Sequence, residues 1–328
     1  MKNSSTGRMM PKYPVYVPSK GRVDSCLTAR CLIADGVPFS LVIEEQERKA
    51  YAEKFPRVPL LVLPFSNQGS VIPARNWMKE HATKLGAERH WQIDDNISGF
   101  WRVYNGKRLY CDAGIGLKVC EDFTDRYENI AIAGLNYVMF YTEQGYQPPF
   151  YLNNHVYSCS LILNSLPYKW RGRYNEDTDY CLQALSEGWC TVLLNAFLVQ
   201  KLGTMVMKGG NTDALSYHND GRLKMARALE RLWPGVVETK RRFKRPQHVV
   251  ADSWRKFDNK LRLKPGVVIA PGVNEYGMRL ERVREVKAPK LQVLAADWDS
   301  KRSEEAAQAT PRSKRKRVKA SGRTGPRR

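Results

Sequence analysis

Short apolar runs alternate with segments of helical spacing over the first hundred residues of the chain. Residues 24–35 and 74–85 have helical spacing, and Asp24 is the expected N-cap of the first helix. Four apolar or aromatic runs predict strands, at residues 13–18, 39–43, 59–63 and 90–93. This alternation predicts an α/β fold with a Rossmann-like, mostly parallel central sheet and flanking helices.

The pattern continues less regularly toward residue 235. Residues 121–163 mix a helix with aromatic strands, and residues 191–199 predict a further strand. Two more helices are predicted, at residues 179–188 with Gly188 at the C-terminus, and at residues 222–233. We predict four segments: a flexible N-terminus (1–11), a main α/β domain (12–235), a basic folded extension (236–300) and a disordered basic tail (301–328).

The net charge of +21 is concentrated behind the main domain. Residues 301–328 hold 11 basic and 2 acidic residues, and residues 236–300 hold 15 basic and 8 acidic ones. Only +5 remains for residues 1–235, which is an ordinary balance for a globular domain. The basic C-terminal extension therefore favours polyanionic partners.

Cysteine usage and hydropathy indicate the compartment. Seven cysteines without CxxC spacing do not suggest a disulfide framework, so we assign them to a core kept in a reducing environment. No apolar run approaches the ~18 residues that a membrane span needs, and we find no signal-peptide core at the N-terminus. We expect a soluble intracellular protein with no membrane partner.

Oxygen-bearing side chains follow the fourth predicted strand. Asp94, Asp95 and Asn96 come directly after a strand-like run that ends at Ile93 and reads as a short buried strand. In such sheets ligands bind at the carboxyl ends of the strands, and carboxylates together with substrate phosphates suit Mg²⁺ or Mn²⁺. A simple surface turn is the alternative, since Asp and Asn are common turn residues.

A second acidic group lies about eighty residues further on. Glu176, Asp177 and Asp179 follow Asn175 at the start of a predicted helix. A carboxylate here can act as a general base toward an acceptor hydroxyl. Acids also stabilise the first turn of a helix, and one residue can serve both purposes.

Further polar residues follow strand ends or begin helices. Ser19, Lys20, Gly21 and Arg22 form a turn that can bind a phosphate or a nucleobase edge, although it is not a Walker A loop. Arg75 either reaches a donor diphosphate or is an exposed helix residue. His155 either lines a pocket or is a structural histidine.

Taken in order, these segments resemble glycosyltransferases of the GT-A fold. The resemblance covers about residues 12–235, with the acidic pair at the place of the DxD-type metal motif. More narrowly, four segments resemble the TET-associated glycosyltransferases of bacteriophages: residues 16–22, 94–97, 174–177 and 208–210.

The resemblance implies roles for particular residues. Asp177 would be the acceptor base, if the reaction inverts the anomeric centre, with Glu176 beside it. The divalent cation, Mn²⁺ or Mg²⁺, would be held by Asp94, Asp95 and Asn96, where Asn96 stands in place of the last carboxylate. The donor site would comprise Pro18, Ser19, Lys20, Arg22, Arg75, Asp94 and Lys201, and the acceptor pocket Asn154, His155, Asp179, Lys208, Gly209 and Gly210.

One strand departs from the family pattern. Many GT-A enzymes place a metal-binding histidine late in the domain, whereas this strand ends in Val199, Gln200 and Lys201. Either Gln200 substitutes for the histidine, or Lys201 neutralises the donor diphosphate.

The implied reaction moves a sugar from a nucleotide-sugar, expected to be UDP-linked, to 5-hydroxymethylpyrimidine in phage DNA, chiefly 5-hydroxymethylcytosine. It would take place in the cytoplasm of the infected bacterial host. A duplex base must be flipped out or approached in opened DNA. The predicted contacts to the DNA backbone are Lys240, Arg241, Arg242, Lys244, Arg245, Lys314, Arg315, Lys316 and Arg317.

Two other functions stay open at this point. The same fold could transfer a sugar to a protein or glycan, or it could bind DNA without catalysis. A nucleotidyltransferase also uses paired carboxylates, but the sequence has no Gly-rich triphosphate loop.

Overall fold

A ten-stranded sheet forms the centre of the protein, in the order β3-β2-β1-β4-β9-β7-β10-β5-β6, with β8 paired to β10. Its strands are β1 Val15–Pro18, β2 Ser40–Ile43, β3 Leu60–Val62, β4 Arg89–Ile93, β5 Ile97–Tyr104, β6 Lys107–Tyr110, β7 Ile130–Tyr137, β8 Phe150–Leu152, β9 Cys159–Leu163 and β10 Cys190–Lys201. The structure is a computed structural model that describes residues 9–66, 70–141, 147–202, 209, 221–242 and 244–269.

Most strands of this sheet run in one direction. β1 is parallel to β2 and β4, and β2 is parallel to β3. Farther across the sheet, β7 is parallel to β10. Between these two groups lies the reversed strand β9, which is antiparallel to both β4 and β7. The predicted α/β fold, with a mostly parallel central sheet and flanking helices, is confirmed.

Six helices lie within the described residues; the first five flank this sheet and the sixth packs on a second, smaller sheet. They are α1 Leu27–Ala34, α2 Arg48–Lys54, α3 Ile72–Lys84, α4 Ala113–Thr124, α5 Glu176–Ser186 and α6 Gly221–Leu232. Pro73 lies in the first turn of α3, where its missing N–H costs no helical hydrogen bond. Gly188 follows the end of α5 with a φ of 83°, as the sequence predicted.

The prediction for the start of the first helix was wrong. The N-cap position of α1 is Cys26, and no side chain caps the helix. Asp24 lies before it on the surface, where its carboxylate pairs with Lys54 at 2.8 Å. The carboxylate of Asp24 therefore pairs with an exposed lysine instead of capping the helix.

Apolar side chains from both faces of the sheet form the core. Trp91 and Ile93 of β4 and Leu198 and Val199 of β10 are all fully buried. All seven cysteines are buried free thiols, which confirms their assignment to the core.

A second, two-stranded sheet follows α6. It consists of β11 Val237–Arg242 and β12 Arg245–Val250, paired antiparallel, and we call it the basic ribbon. Val237 and Val250 at its base are buried with Leu182 of α5 and Leu229 of α6. Within the described chain, no helix has the length and apolar character that crossing a membrane requires.

Candidate active site

Asp94 stands at the end of β4 among hydrogen-bond donors. Its Oδ1 accepts a hydrogen bond from Nη2 of Arg75 at 3.0 Å. Its Oδ2 accepts from Oγ of Ser158 at 2.7 Å and from Nζ of Lys201 at 2.9 Å. Burial alone would raise the pKa of Asp94, but the cations of Lys201 and Arg75 lower it to about 2. Asp94 is therefore an anion held between two cations.

Asp95 faces the first basic turn instead. Its Oδ2 accepts a hydrogen bond from Oγ of Ser19 at 2.8 Å, and its Oδ1 pairs with Nη1 of Arg22 at 2.6 Å. Nη2 of Arg22 also donates to the carbonyl oxygen of Gly209 at 2.9 Å. Burial is the main influence on Asp95 and raises its pKa. The basic turn and the acidic pair therefore lie together at one edge of the sheet.

Arg75 connects the two acidic groups. Besides Asp94, its guanidinium lies beside Glu176, with Nε 3.4 Å from Oε1. Nη1 donates to Oε1 of Gln92 at 3.1 Å, and the guanidinium lies over the ring of Trp170, 4.8 Å from the centroid. Arg75 is 5% exposed, so the alternative of an exposed helix residue is wrong. It brings the end of β4 and the start of α5 to the same place.

Asp177 lies in the first turn of α5 beside His155. Its Oδ2 is 3.3 Å from Nε2 of His155, and its Oδ1 accepts from the Thr178 N–H at 2.7 Å. Burial opposes the charged form, but His155 and the Thr178 N–H stabilise it and hold the pKa of Asp177 below its usual range. Glu176 differs, because burial raises its pKa despite the neighbouring Arg75.

The basic ribbon reaches this part of the site. Nε2 of His248, in β12, lies 3.3 Å from Oγ1 of Thr178. Burial lowers the pKa of His248 to about 4. Trp254, just beyond β12, stacks on His155 with an interplanar angle of 14°. The segment after α6 therefore contributes side chains next to Asp177.

Two acids near the basic turn were missed by the sequence analysis. Glu44 follows β2 and pairs with Nζ of Lys20 at 2.6 Å. Glu47 accepts a hydrogen bond from the Gly21 N–H at 2.5 Å, and burial raises its pKa. Their position directly after the second strand could have identified them as site residues, because Ser19 and Asp95 also follow strand ends in this sheet.

The predicted acceptor residues have mixed outcomes. The Oδ1 of Asn154 accepts from the His155 N–H at 2.7 Å and orders that turn. Asp179 is fully buried and bonds to Arg171 and to Trp233 Nε1, so it has a structural place and does not line an open pocket. Pro18 ends β1 in register with Val42. Lys208 and Gly210 lie outside the described residues.

Some of the predicted DNA contacts lie within the described residues and others do not. Five of the predicted contacts belong to the basic ribbon, and all five are exposed near its tip: Lys240, Arg241, Arg242, Lys244 and Arg245. Residues 301–328, including Lys314, Arg315, Lys316 and Arg317, lie outside the described residues.

The donor set at the acidic pair does not fit a divalent cation. Both oxygens of Asp94 and both of Asp95 already accept hydrogen bonds, three of the four from cationic groups. The buried Oδ1 of Asn96 has no hydrogen-bond partner in the described chain, and it is a single amide oxygen. Within the described residues, no three His, Cys, Asp or Glu side chains converge as a metal site.

Charge repulsion also disfavours a divalent cation at Asp94. Two unit charges 4 Å apart interact by about 4 kcal/mol at an effective dielectric constant of about 20, and a divalent ion doubles this. An ion on Asp94 would meet that repulsion from the ammonium of Lys201, which lies 2.9 Å from the carboxylate. The divalent cation therefore stays a prediction.

The arrangement combines cations with a carboxylate at one edge of the sheet. Lys201 and Arg75 can stabilise negative charge that develops on a leaving group. Asp177, with 29% of its side chain exposed, can accept a proton from an incoming hydroxyl.

Comparison with known proteins defines the family. A similar solved structure is the mannose-1-phosphate geranyltransferase from Thermus thermophilus, with 14% identity over 69% of this chain and a TM-score of 0.25. The match spans about 65% of that protein's length. No curated protein matches this sequence. The family model of the TET-Associated Glycosyltransferase matches residues 13–210. The chain therefore belongs to the TET-associated glycosyltransferase family.

Proposed function

We propose that this protein transfers a sugar from a nucleotide-sugar to the hydroxyl of 5-hydroxymethylpyrimidine in DNA. A UDP-sugar is the expected donor. We take 5-hydroxymethylcytosine as the preferred acceptor. The observation that carries the proposal is the position of Arg75, which contacts both Asp94 and Glu176. It brings the cations at the end of β4 and the start of α5, which carries the candidate base Asp177, into one site.

The donor side consists of the turn after β1 and the ends of β4 and β10. Ser19 and Arg22 hold Asp95, while Lys201 and Arg75 hold Asp94. In this proposal the sugar nucleotide binds along this edge, with its diphosphate toward the cations. Fixed cations in a partly buried site stabilise a leaving diphosphate without reorganisation during the reaction.

The transfer step needs one base and one leaving group. The acceptor hydroxyl oxygen forms a bond to the anomeric carbon as the bond from that carbon to the diphosphate oxygen breaks. The hydroxyl proton passes to the carboxylate of Asp177, and the nucleoside diphosphate leaves with the electron pair. Asp177 can take this proton because its carboxylate is ionised and 29% of its side chain is exposed.

The acceptor side lies toward the basic ribbon. A base in a duplex is out of reach of an enzyme pocket, so the hydroxymethylated base has to be flipped out or presented in opened DNA. The ribbon starts beside the site at His248 and ends in an exposed tip that includes Arg241, Arg242 and Arg245. Such a tip suits the DNA backbone near the flipped base.

Shallow grooves along the ribbon support this placement. One groove of about 420 Å³ lies between α6 and the ribbon. Its lining includes Arg227, Lys240 and Arg241 together with Glu230. Basic side chains along an open groove are the expected features of a surface that follows phosphates.

The proposal is tested by incubating the full chain with a panel of nucleotide-sugars and several acceptors. The acceptors are DNA with 5-hydroxymethylcytosine, DNA with 5-hydroxymethyluracil, unmodified DNA, and a protein and glycan set. Mass spectrometry of the products is expected to find a hexose or N-acetylhexosamine on a hydroxymethylated base only. Transfer to protein or glycan with no response to DNA would overturn the acceptor, and DNA binding without any turnover would overturn the enzymatic function.

A further inference from the structure

We propose that Lys201, together with Arg75, replaces a divalent cation at Asp94, so that the enzyme binds its donor diphosphate without metal. This inference rests on the proposed function, and it deepens the account of the donor site. It names the ligand as the diphosphate of a nucleoside diphosphate, and the recognising groups as one ammonium and one guanidinium.

The local geometry at the end of β10 supports it. The pairing of β10 with β5 is irregular between Gln200 and Lys201, where the register shifts. Such irregularities commonly re-aim a side chain. Here Nζ of Lys201 reaches Oδ2 of Asp94 at 2.9 Å and Oγ of Ser158 at 2.7 Å.

Gln200 is engaged with the neighbouring strand β5. Its side-chain Oε1 accepts a hydrogen bond from Nε1 of Trp101 at 3.1 Å. Its carbonyl oxygen accepts from Oγ of Ser98 at 3.3 Å. Of the two roles that the strand end allows, the structure assigns the charge-neutralising one to Lys201.

The cation is held in place and keeps some access to solvent. The Lys201 side chain is 15% exposed and that of Asp94 is 23% exposed. The hydroxyl of Tyr137 lies 2.5 Å from Oγ of Ser158, the other partner of Lys201. A preorganised ammonium that is still reachable from the edge of the sheet can contact a diphosphate oxygen directly.

The charge around Asp94 also suits an anionic ligand. Two cations, Arg75 and Lys201, contact its single carboxylate. Arg75 is shared with Glu176 and also interacts with Asp177. Lys201 is shared with the neutral hydroxyl of Ser158 instead, so its ammonium is the cation that a diphosphate can contact where a metal would otherwise supply positive charge.

The test is calorimetric titration of nucleoside diphosphates into the full chain. UDP is the first probe, with ADP, GDP, CDP and TDP in parallel, in excess EDTA and then in Mn²⁺. The wild-type affinity for the diphosphate that binds is expected to change by less than about twofold between the two conditions. An increase of about tenfold or more on adding Mn²⁺ would overturn the inference.

Two variants of the same residue sharpen the result. Lys201→Met is expected to weaken diphosphate binding in EDTA by at least about tenfold, while Lys201→Arg stays within about threefold of the wild type. Binding of the corresponding nucleoside, which has no phosphate, should not differ between wild type and Lys201→Met. Wild-type diphosphate affinity in Lys201→Met would contradict the assignment, and thermal unfolding of each variant reports whether it is folded.

Failure of this inference is distinguishable from failure of the proposed function. Sugar transfer that EDTA abolishes and Mn²⁺ restores would overturn the role of Lys201 and leave the glycosyltransferase function standing. Absence of both diphosphate binding and transfer, with and without Mn²⁺, would overturn both.

Discussion

Nε2 of His155 lies 3.3 Å from Oδ2 of Asp177, and this pair lies where the start of α5 meets the segment beyond β12. Trp254 stacks on the imidazole from that segment. The Thr178 N–H binds the other oxygen of Asp177 at 2.7 Å. The carboxylate is thus oriented by two donors, and 29% of its side chain stays exposed.

This pair predicts a pH dependence for the reaction. Asp177 accepts a proton only when ionised, and His155 helps to hold its pKa below the usual range. Replacing His155 with Gln removes that stabilisation while burial still favours the neutral acid. The acid limb of the kcat profile should therefore move to higher pH in His155→Gln. An unchanged acid limb would show that Asp177 does not titrate as the base.

The ion pairs of Asp94 predict a pH-dependent stability. Its pKa is about 2 in the folded state, against about 3.9 in an unfolded chain. Its contribution is therefore present above about pH 4 and is lost as the pH falls toward 2. We expect Asp94→Asn to lower the free energy of unfolding by about 2 kcal/mol at neutral pH, and the deficit to shrink on acidification.

Urea unfolding of both proteins at several pH values between 7 and 3 measures this deficit. Asp122→Asn is the matched control, since Asp122 is half exposed and pairs with Lys118 in the same helix. That control should change stability little at any pH. A deficit for Asp94→Asn that is constant with pH would contradict the assigned ion pairs.

Gly209 packs against the basic turn, and this contact predicts an effect on donor binding. It has a φ of 82°, and a Cβ atom there would lie 2.4 Å from the carbonyl oxygen of Gly21. Gly209→Ala should displace the basic turn and weaken nucleoside diphosphate binding by about tenfold. Gly106→Ala is the control, because Gly106 has a φ of 74° and no atom within 4 Å of its Cβ position. Equal effects in the two variants would show that backbone strain alone matters.

The basic ribbon predicts the salt dependence of DNA binding. Replacing Lys240, Arg241 and Arg242 with Gln should lower the affinity for duplex DNA and reduce the slope of log K against log salt by up to about 3. A control with Lys49, Lys84 and Lys107 changed to Gln removes the same charge from exposed positions elsewhere. Equal losses in both triple variants would indicate non-specific attraction and contradict a ribbon site.

Much of the main domain could be predicted from local sequence. The strands that end at Pro18 and Ile43 are largely apolar, the strand that ends at Ile93 carries a central Trp91, and each precedes a polar residue that reaches the site. The hairpin of β5 and β6 was missed, although Asn105 and Gly106 turn it with φ values of 47° and 74°. That dipeptide is a strong hairpin signal, so the information was present in the sequence.

Long-range contacts could not be predicted from local sequence. Arg75 lies between Asp94 and Glu176 because α3 and α5 both pack near the end of β4, and no local spacing relates these helices. The contact of His248 with Thr178 crosses from the ribbon to α5, 70 positions apart. The buried place of Asp179 likewise depends on Trp233, which only the fold brings near.

The most direct measurement compares wild type and Asp177→Asn by nucleoside mass spectrometry. Each protein is incubated with 5-hydroxymethylcytosine DNA and the nucleotide-sugar that the donor panel identifies. We expect a sugar-sized mass gain on the modified base with wild type, and a rate roughly 10²- to 10⁴-fold lower with Asp177→Asn. Equal rates would contradict Asp177 as the base, and no gain with the wild-type protein on any hydroxymethylated DNA would contradict the central claim.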